Sequence, residues 1–224
     1  MKILLASASL ADVRWAADHG LADGVVTTPA SLAAERAGDA QAHRELLGEL
    51  ARAASAPVYA SVASVDPADI YRDGRELARV GDNVVVQVPL VDDAVVAVRR
   101  LASEGVRVAA TLVFSAAQAL LAAKAGATSV VVPLDQLGAL GHEVAPTVRE
   151  VRQLFDRSGV ECDLIAAHPT SASAFTGAGI AGADAAIVDM GALRSLLVHP
   201  LTDRGVDAFL RELTARGRPR IASV

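Results

Sequence analysis

Eight short apolar runs, each followed by a stretch of helical periodicity, recur along the 224-residue chain, and this alternation most restricts the fold it can adopt. The runs occupy residues 3–7, 24–27, 57–62, 84–89, 106–112, 129–133, 164–167 and 185–188. In the fourth, Val84, Val85, Val86 and Val88 are continuous rather than alternating, as expected of a parallel strand buried on both faces. Strands alternating with helices predict repeated βαβ units, and eight of them predict an α/β fold, a single (β/α)8 TIM barrel. With 52% hydrophobic residues and a mean hydropathy of +0.37, one domain over residues 1–224 has ample core.

Helix punctuation agrees with this reading. Ser9 and Ser115 are placed to cap helices, and Asp66-Pro67 combines a cap with Pro at the first helical position. The helix after strand two breaks near Gly38, and the loop after strand six carries Asp135, Gln136 and His142. A C-terminal helix over residues 206–213 leads to a short basic tail containing Arg216, Arg218 and Arg220. Because crossovers of this kind are right-handed, all eight strand ends open on one rim, which collects Ala6, Thr28, Ser61, Gln87, Thr111, Pro133, His168 and Asp189.

Charge and cysteine content exclude several functions. A net charge of -5 and a pI near 5.5 argue against a nucleic-acid partner, and no apolar run is long enough for a membrane span. The expected location is cytoplasmic. The single cysteine, Cys162, is expected in the core and rules out a disulfide framework. Gly177-Ala178-Gly179 lacks the strand-turn-helix context of a phosphate loop and is expected within a helix.

The chemistry-bearing candidates are rim residues. Gln87 breaks the apolar run of strand four one residue before Val88-Pro89, at the level where a barrel displays its functional groups. His168 follows strand seven and can move a proton, and Asp189 at the end of strand eight can orient it. These three are the catalytic candidates. Ser7, Thr28, Ser61, Thr111, Gln136 and Thr170 are the substrate-binding candidates, and the expected partner is a small molecule. His142, His168 and Asp189 have no local metal-binding spacing, so neither a metal nor a cofactor is expected.

Six stretches, DGVVTTPASLAAE (residues 23–35), DNVVVQVPL (82–90), EGVRVAATLVFSAAQALLAAKAGAT (104–128), LGH (140–142), AGAD (181–184) and HPLTDRGVDAFL (199–210), resemble the small transaldolases, the group that includes fructose-6-phosphate aldolase. The resemblance covers nearly the whole chain and implies the barrel independently of the periodicity. It also implies a homo-oligomer, a pentamer or a decamer. In that family a strand-four lysine forms a Schiff base with a ketone donor, in a pattern reading VVVK-I/V-P. Here that position is Gln87, and the only lysines are Lys2 and Lys124. The family's strand-one Asp falls on Ala6, its Asn of T-T-N-P-S on Thr28, its strand-three acid or amide on Ser61, and its phosphate-binding Arg on Thr170.

Two functions follow as expectations. The first is a transaldolase-like enzyme with a remodelled site, performing carbonyl chemistry without a Schiff base (aldol-type bond formation, cyclisation or isomerisation) on a small oxygenated substrate in specialised metabolism. The alternative is an inactive homologue that serves as a binding or structural partner.

Overall fold

The computed structural model describes residues 1–215 except Ala37 and Ser55, so the basic tail expected at Arg216–Arg220 lies outside the described residues. The strands are β1 (Lys2–Ala6), β2 (Gly24–Thr27), β3 (Val58–Ser61), β4 (Val84–Pro89), β5 (Val108–Thr111), β6 (Ser129–Pro133), β7 (Asp163–Ala167) and β8 (Ala185–Asp189). Between them run α1 (Leu10–Asp18), α2 (Pro29–Glu35), α3 (Ala40–Ala54), α4 (Pro67–Ala78), α5 (Ala94–Ser103), α6 (Ala116–Lys124), α7 (Leu134–Ala139), α8 (Val144–Ser158) and α9 (Ala172–Ile180). After β8 come α10 (Met190–Ser195) and α11 (Pro200–Ala215). The strands are parallel and close in chain order, with β8 returning to pair with β1. The (β/α)8 barrel is therefore the observed fold. The chain divides into two compact units, one of residues Met1–Met190 and a second beginning at Gly191.

Strand parity separates two cores. Leu4, Val26, Tyr59, Val85, Ala109, Val131, Ile165 and Ile187 face one another inside the barrel. Their neighbours Val86, Val88, Val108, Val130, Val132 and Leu164 pack outward under the helices, with Ile70, Leu101 and Phe155. This double burial is why the runs are continuously apolar, and each fully buried Val, Leu, Ile or Phe among them contributes about 1.5–3 kcal/mol. Gly24 is required where β2 begins: a Cβ there would lie 2.9 Å from the Pro57 carbonyl oxygen and 2.8 Å from Leu4 Cδ2.

The expected caps are present. Ser9, Asp66 and Ser115 accept backbone N–H donors from the first turns of α1, α4 and α6, and Gly159 closes α8 in the left-handed conformation. Two boundaries differ informatively. The fifth strand stops at Thr111 because Leu112 has φ of +58°, which a continuing strand cannot contain. The region expected as a loop after strand six begins with the helix α7, so Gln136 and Asp135 stand on a helical turn and only His142 lies beyond it.

Candidate active site

The polar heart of the barrel mouth is a contact between adjacent strands. Ser61 and Gln87 are register partners on β3 and β4, and Gln87 Nε2 donates to Ser61 Oγ at 3.2 Å and to the Thr27 carbonyl at 3.2 Å. The carbonyl can only accept, which fixes the amide orientation. Gln87 is 4% exposed, and Thr27 beside it is also buried, its hydroxyl donating to the Tyr59 carbonyl at 3.1 Å. Three polar groups are thereby satisfied in a largely apolar interior.

This arrangement changes what Gln87 can do. Both amide hydrogens are engaged, so it cannot polarise a substrate carbonyl while those bonds hold. The donor role passes to Ser61, whose oxygen accepts from Gln87 and whose hydroxyl proton is free to point at a ligand. Gln87 Oε1 accepts no hydrogen bond among the described residues.

His168 stands at the exit of β7 in the left-handed region, with φ of +54°. Its backbone N–H donates to the Ile187 carbonyl at 3.0 Å, and its exposed imidazole takes no hydrogen-bond partner among the described residues. A histidine in this conformation carries strain of about 1–2 kcal/mol relative to glycine. Asp189, the exposed last residue of β8, registers with Ala6 of β1. It leaves the strand next to that of His168, but no hydrogen bond joins the two side chains.

The remaining candidates separate. Thr111 ends β5 opposite Pro89 and is half-buried at the same rim. Thr28 is the N-cap of α2: its hydroxyl oxygen accepts from Ser31 N while Ser31 Oγ accepts from Thr28 N, a complete capping box. Ser7 is also drawn into local structure, donating to Asp12 Oδ2 at 3.1 Å and accepting from Ser9 N. Thr170 is exposed one residue before Ser171, the N-cap of α9, and Gln136 is exposed on α7. The structure thus unites Ser61 and Gln87, with Thr111, His168 and Asp189 around the same rim, and assigns Ser7 and Thr28 to helix entrances.

Neither lysine is placed at the mouth. Lys2 begins β1 at the opposite end of the barrel, with Nζ 3.7 Å from Asp163 Oδ2, and Lys124 is the last residue of α6, exposed on the outside. Deeper in the barrel, burial and then the nearby Asp163 charge push the Tyr59 phenol above its ordinary value. Burial does the same to the Cys162 thiol, which is pushed up to about 12. Among the described residues, no group of three or more His, Cys, Asp or Glu side chains could hold a metal ion.

The barrel with this rim matches a family model described as Transaldolase/Fructose-6-phosphate aldolase over residues 7–217. The chain belongs to that family. It is similar to a probable transaldolase of Heliobacterium modesticaldum, 39% identical over 215 residues that span 95% of this chain and 97% of the relative. A probable transaldolase of Desulfosudis oleivorans is 36% identical over 212 residues with the same two coverages. One from Parvibaculum lavamentivorans is 36% identical over 219 residues, 97% of this chain and 99% of the relative. Full-length transaldolase-family similarity therefore accompanies a mouth whose central polar residue is an amide.

Sequence reasoning missed two features of this region. Leu112 joins the rim in a left-handed turn with 44% exposure, and no residue type announces a positive φ there. Thr27, read simply as a strand residue, supplies the carbonyl that holds Gln87, and a backbone acceptor leaves no trace in side-chain chemistry.

Proposed function

We propose that this transaldolase-family chain is an enzyme whose site works without a Schiff base, acting on a small, unphosphorylated carbonyl compound that also bears a hydroxyl. The observation that carries the reading is Gln87, held by Ser61 and Thr27 at the strand-four exit where an imine-forming amine is needed. An amide cannot form an imine. Ser61 donates to the substrate carbonyl, Gln87 Oε1 accepts from its hydroxyl, and the unpartnered imidazole of His168 moves a proton at the carbon between them. That proton shift is the step shared by isomerisation, aldol-type bond formation and cyclisation.

Thr170 stands where the resemblance places a phosphate-binding Arg, and this supports an uncharged substrate. Exposed Leu201, Phe209 and Leu210 on α11 support assembly into a homo-oligomer, a pentamer or a decamer. Light scattering at micromolar concentration tests that assembly, and a monomer overturns it.

The functional test compares melting temperatures in the presence of hydroxyketones, free sugars and sugar phosphates. Stabilisation by unphosphorylated hydroxyketones is expected, reaching about 2.7 kcal/mol at a hundred times the dissociation constant. Stabilisation by sugar phosphates alone overturns the reading. No shift with any compound favours the inactive homologue, a reading that Ala6, Ala109 and Pro133 at the interior and rim also suit.

A further inference from the structure

The barrel is hollow at its strand-entry end, opposite the mouth, where a cavity of about 360 Å³ runs up to Tyr59. Barrel interiors are ordinarily filled by layers of bulky apolar side chains. Here parity makes the lowest layer polar. Lys2, Arg107, Ser129 and Asp163 each stand two residues before the inward-facing Leu4, Ala109, Val131 and Ile165, and all four line the cavity. In this layer one cation is left over. Lys2 answers Asp163 at 3.7 Å, whereas Arg107 has no carboxylate partner among the described residues, only the Asp82 carbonyl at 2.7 Å from Nη2. The other lining acid, Asp23, begins β2, three strands from β5 in the closed order, and accepts from the Ile3 N–H at 2.8 Å.

The Tyr59 hydroxyl belongs to the same layer. Burial raises its pKa, the Asp163 charge raises it further, and Ser129 and Arg107 only partly offset them, so the phenol keeps a proton to donate. Ser129 Oγ is sealed off, whereas the phenol oxygen is open to the cavity. A guanidinium and a phenol O–H are both donors, and donors of this kind hold a carboxylate through charge-assisted hydrogen bonds. Leu4, Val85 and Ala185 supply an apolar wall beside them. We propose that this end of the barrel is a binding site for a small monocarboxylate with a short hydrocarbon chain, its carboxylate held by Arg107 and the Tyr59 hydroxyl and its chain laid against Leu4, Val85 and Ala185. Tyr59 and Val85 stand one inward layer below Ser61 and Gln87, so the site is separate from the mouth and is tested by binding alone.

Pentanoate, 1-pentanol and inorganic phosphate are the probes, titrated calorimetrically into the full-length chain. Pentanoate is expected to bind most tightly, because pentanol brings no charge to Arg107 and phosphate offers nothing to Leu4 and Val85. Arg107→Gln and Tyr59→Phe are each expected to weaken pentanoate about tenfold, the loss of one hydrogen bond to a charged group, and to change pentanol far less. Tyr59→Phe keeps the ring that packs in the barrel, so it carries the test if Arg107→Gln fails to fold. His168→Ala, at the opposite end, is expected to leave pentanoate binding in place. In the wild type, pentanoate is also expected to move the Arg107 Nε resonance, a readout that needs no variant. The proposal is overturned if pentanoate does not bind, if phosphate binds as tightly, if Tyr59→Phe binds pentanoate like the wild type, if His168→Ala abolishes binding, or if the Arg107 resonance stays in place at saturation.

Discussion

Gln87 Nε2 lies 3.2 Å from Ser61 Oγ, across the register pair that joins β4 to β3. The same nitrogen reaches the Thr27 carbonyl, so one amide ties three consecutive strands together at the barrel mouth. The contact is structural and chemical at once. It satisfies a buried side chain, and it turns the Ser61 hydroxyl into the group with a proton to offer.

Incubation with dihydroxyacetone and borohydride is expected to leave the wild-type mass unchanged, because Lys2 and Lys124 lie away from the mouth. Gln87→Lys is expected to gain one trapped adduct, since a desolvated amine at this buried position is the kind that forms imines. Mass spectrometry of the intact chain and its peptides checks both outcomes. A wild-type adduct on Lys2 or Lys124 would refute the amide-based site.

His168 presents its imidazole from a left-handed backbone, so size and shape at Cβ decide the stability of variants there. His168→Val is expected to be about 2 kcal/mol less stable than His168→Gly, because a β-branched side chain is strained at this φ and glycine is not. Both are expected to lose turnover. Equal melting temperatures for the pair would show that the turn is not held, and unchanged turnover in His168→Gly would remove the imidazole from the reaction.

Thr28, a candidate for substrate contact, also caps α2 through its hydroxyl oxygen. Thr28→Ala is expected to cost about 1 kcal/mol of stability, with Thr28→Ser restoring it. Denaturant midpoints at constant slope measure the loss. A raised KM with unchanged stability would show that Thr28 acts on substrate rather than on the helix.

Cys162 combines burial with a pKa of about 12, so the folded protein keeps its thiol protonated where an unfolded chain begins to lose the proton. The folded state then holds more protons between roughly pH 8.5, the ordinary thiol value, and 12. Its contribution to stability is complete below that window and is lost as pH rises through it. Native protein is expected to resist a thiol-reactive dye at pH 8, and denatured protein to react at once. Equal labelling rates in the two states would contradict the burial.

Much of the barrel is legible in the sequence alone. Continuous valine runs mark strands buried on both faces, and Ser9, Asp66 and Ser115 mark helix starts because their oxygens can take the unpaired N–H groups of a first turn. Register then follows, since a parallel closed sheet leaves one inward parity per strand, which puts Ser61, Gln87, Thr111 and Asp189 at the rim. The short helix α7 was missed because Leu134–Ala139 carries a glycine and too few turns to show a period. Thr28 and Ser7 illustrate a different limit. A hydroxyl next to a strand end reads equally well as a ligand contact or a cap, and only the positions of neighbouring N–H groups distinguish them.

By itself the sequence determined the layered βα architecture and its family, together with the absence of any third lysine, because periodicity, capping and residue identity are local properties of the chain. Tertiary structure decided that Gln87 spends its donors on Thr27 and Ser61, and that His168 and Leu112 sit at positive φ. The physical reason is that a hydrogen-bond partner 26 or 60 residues away is chosen by barrel closure. No pattern within a single strand or helix contains that choice.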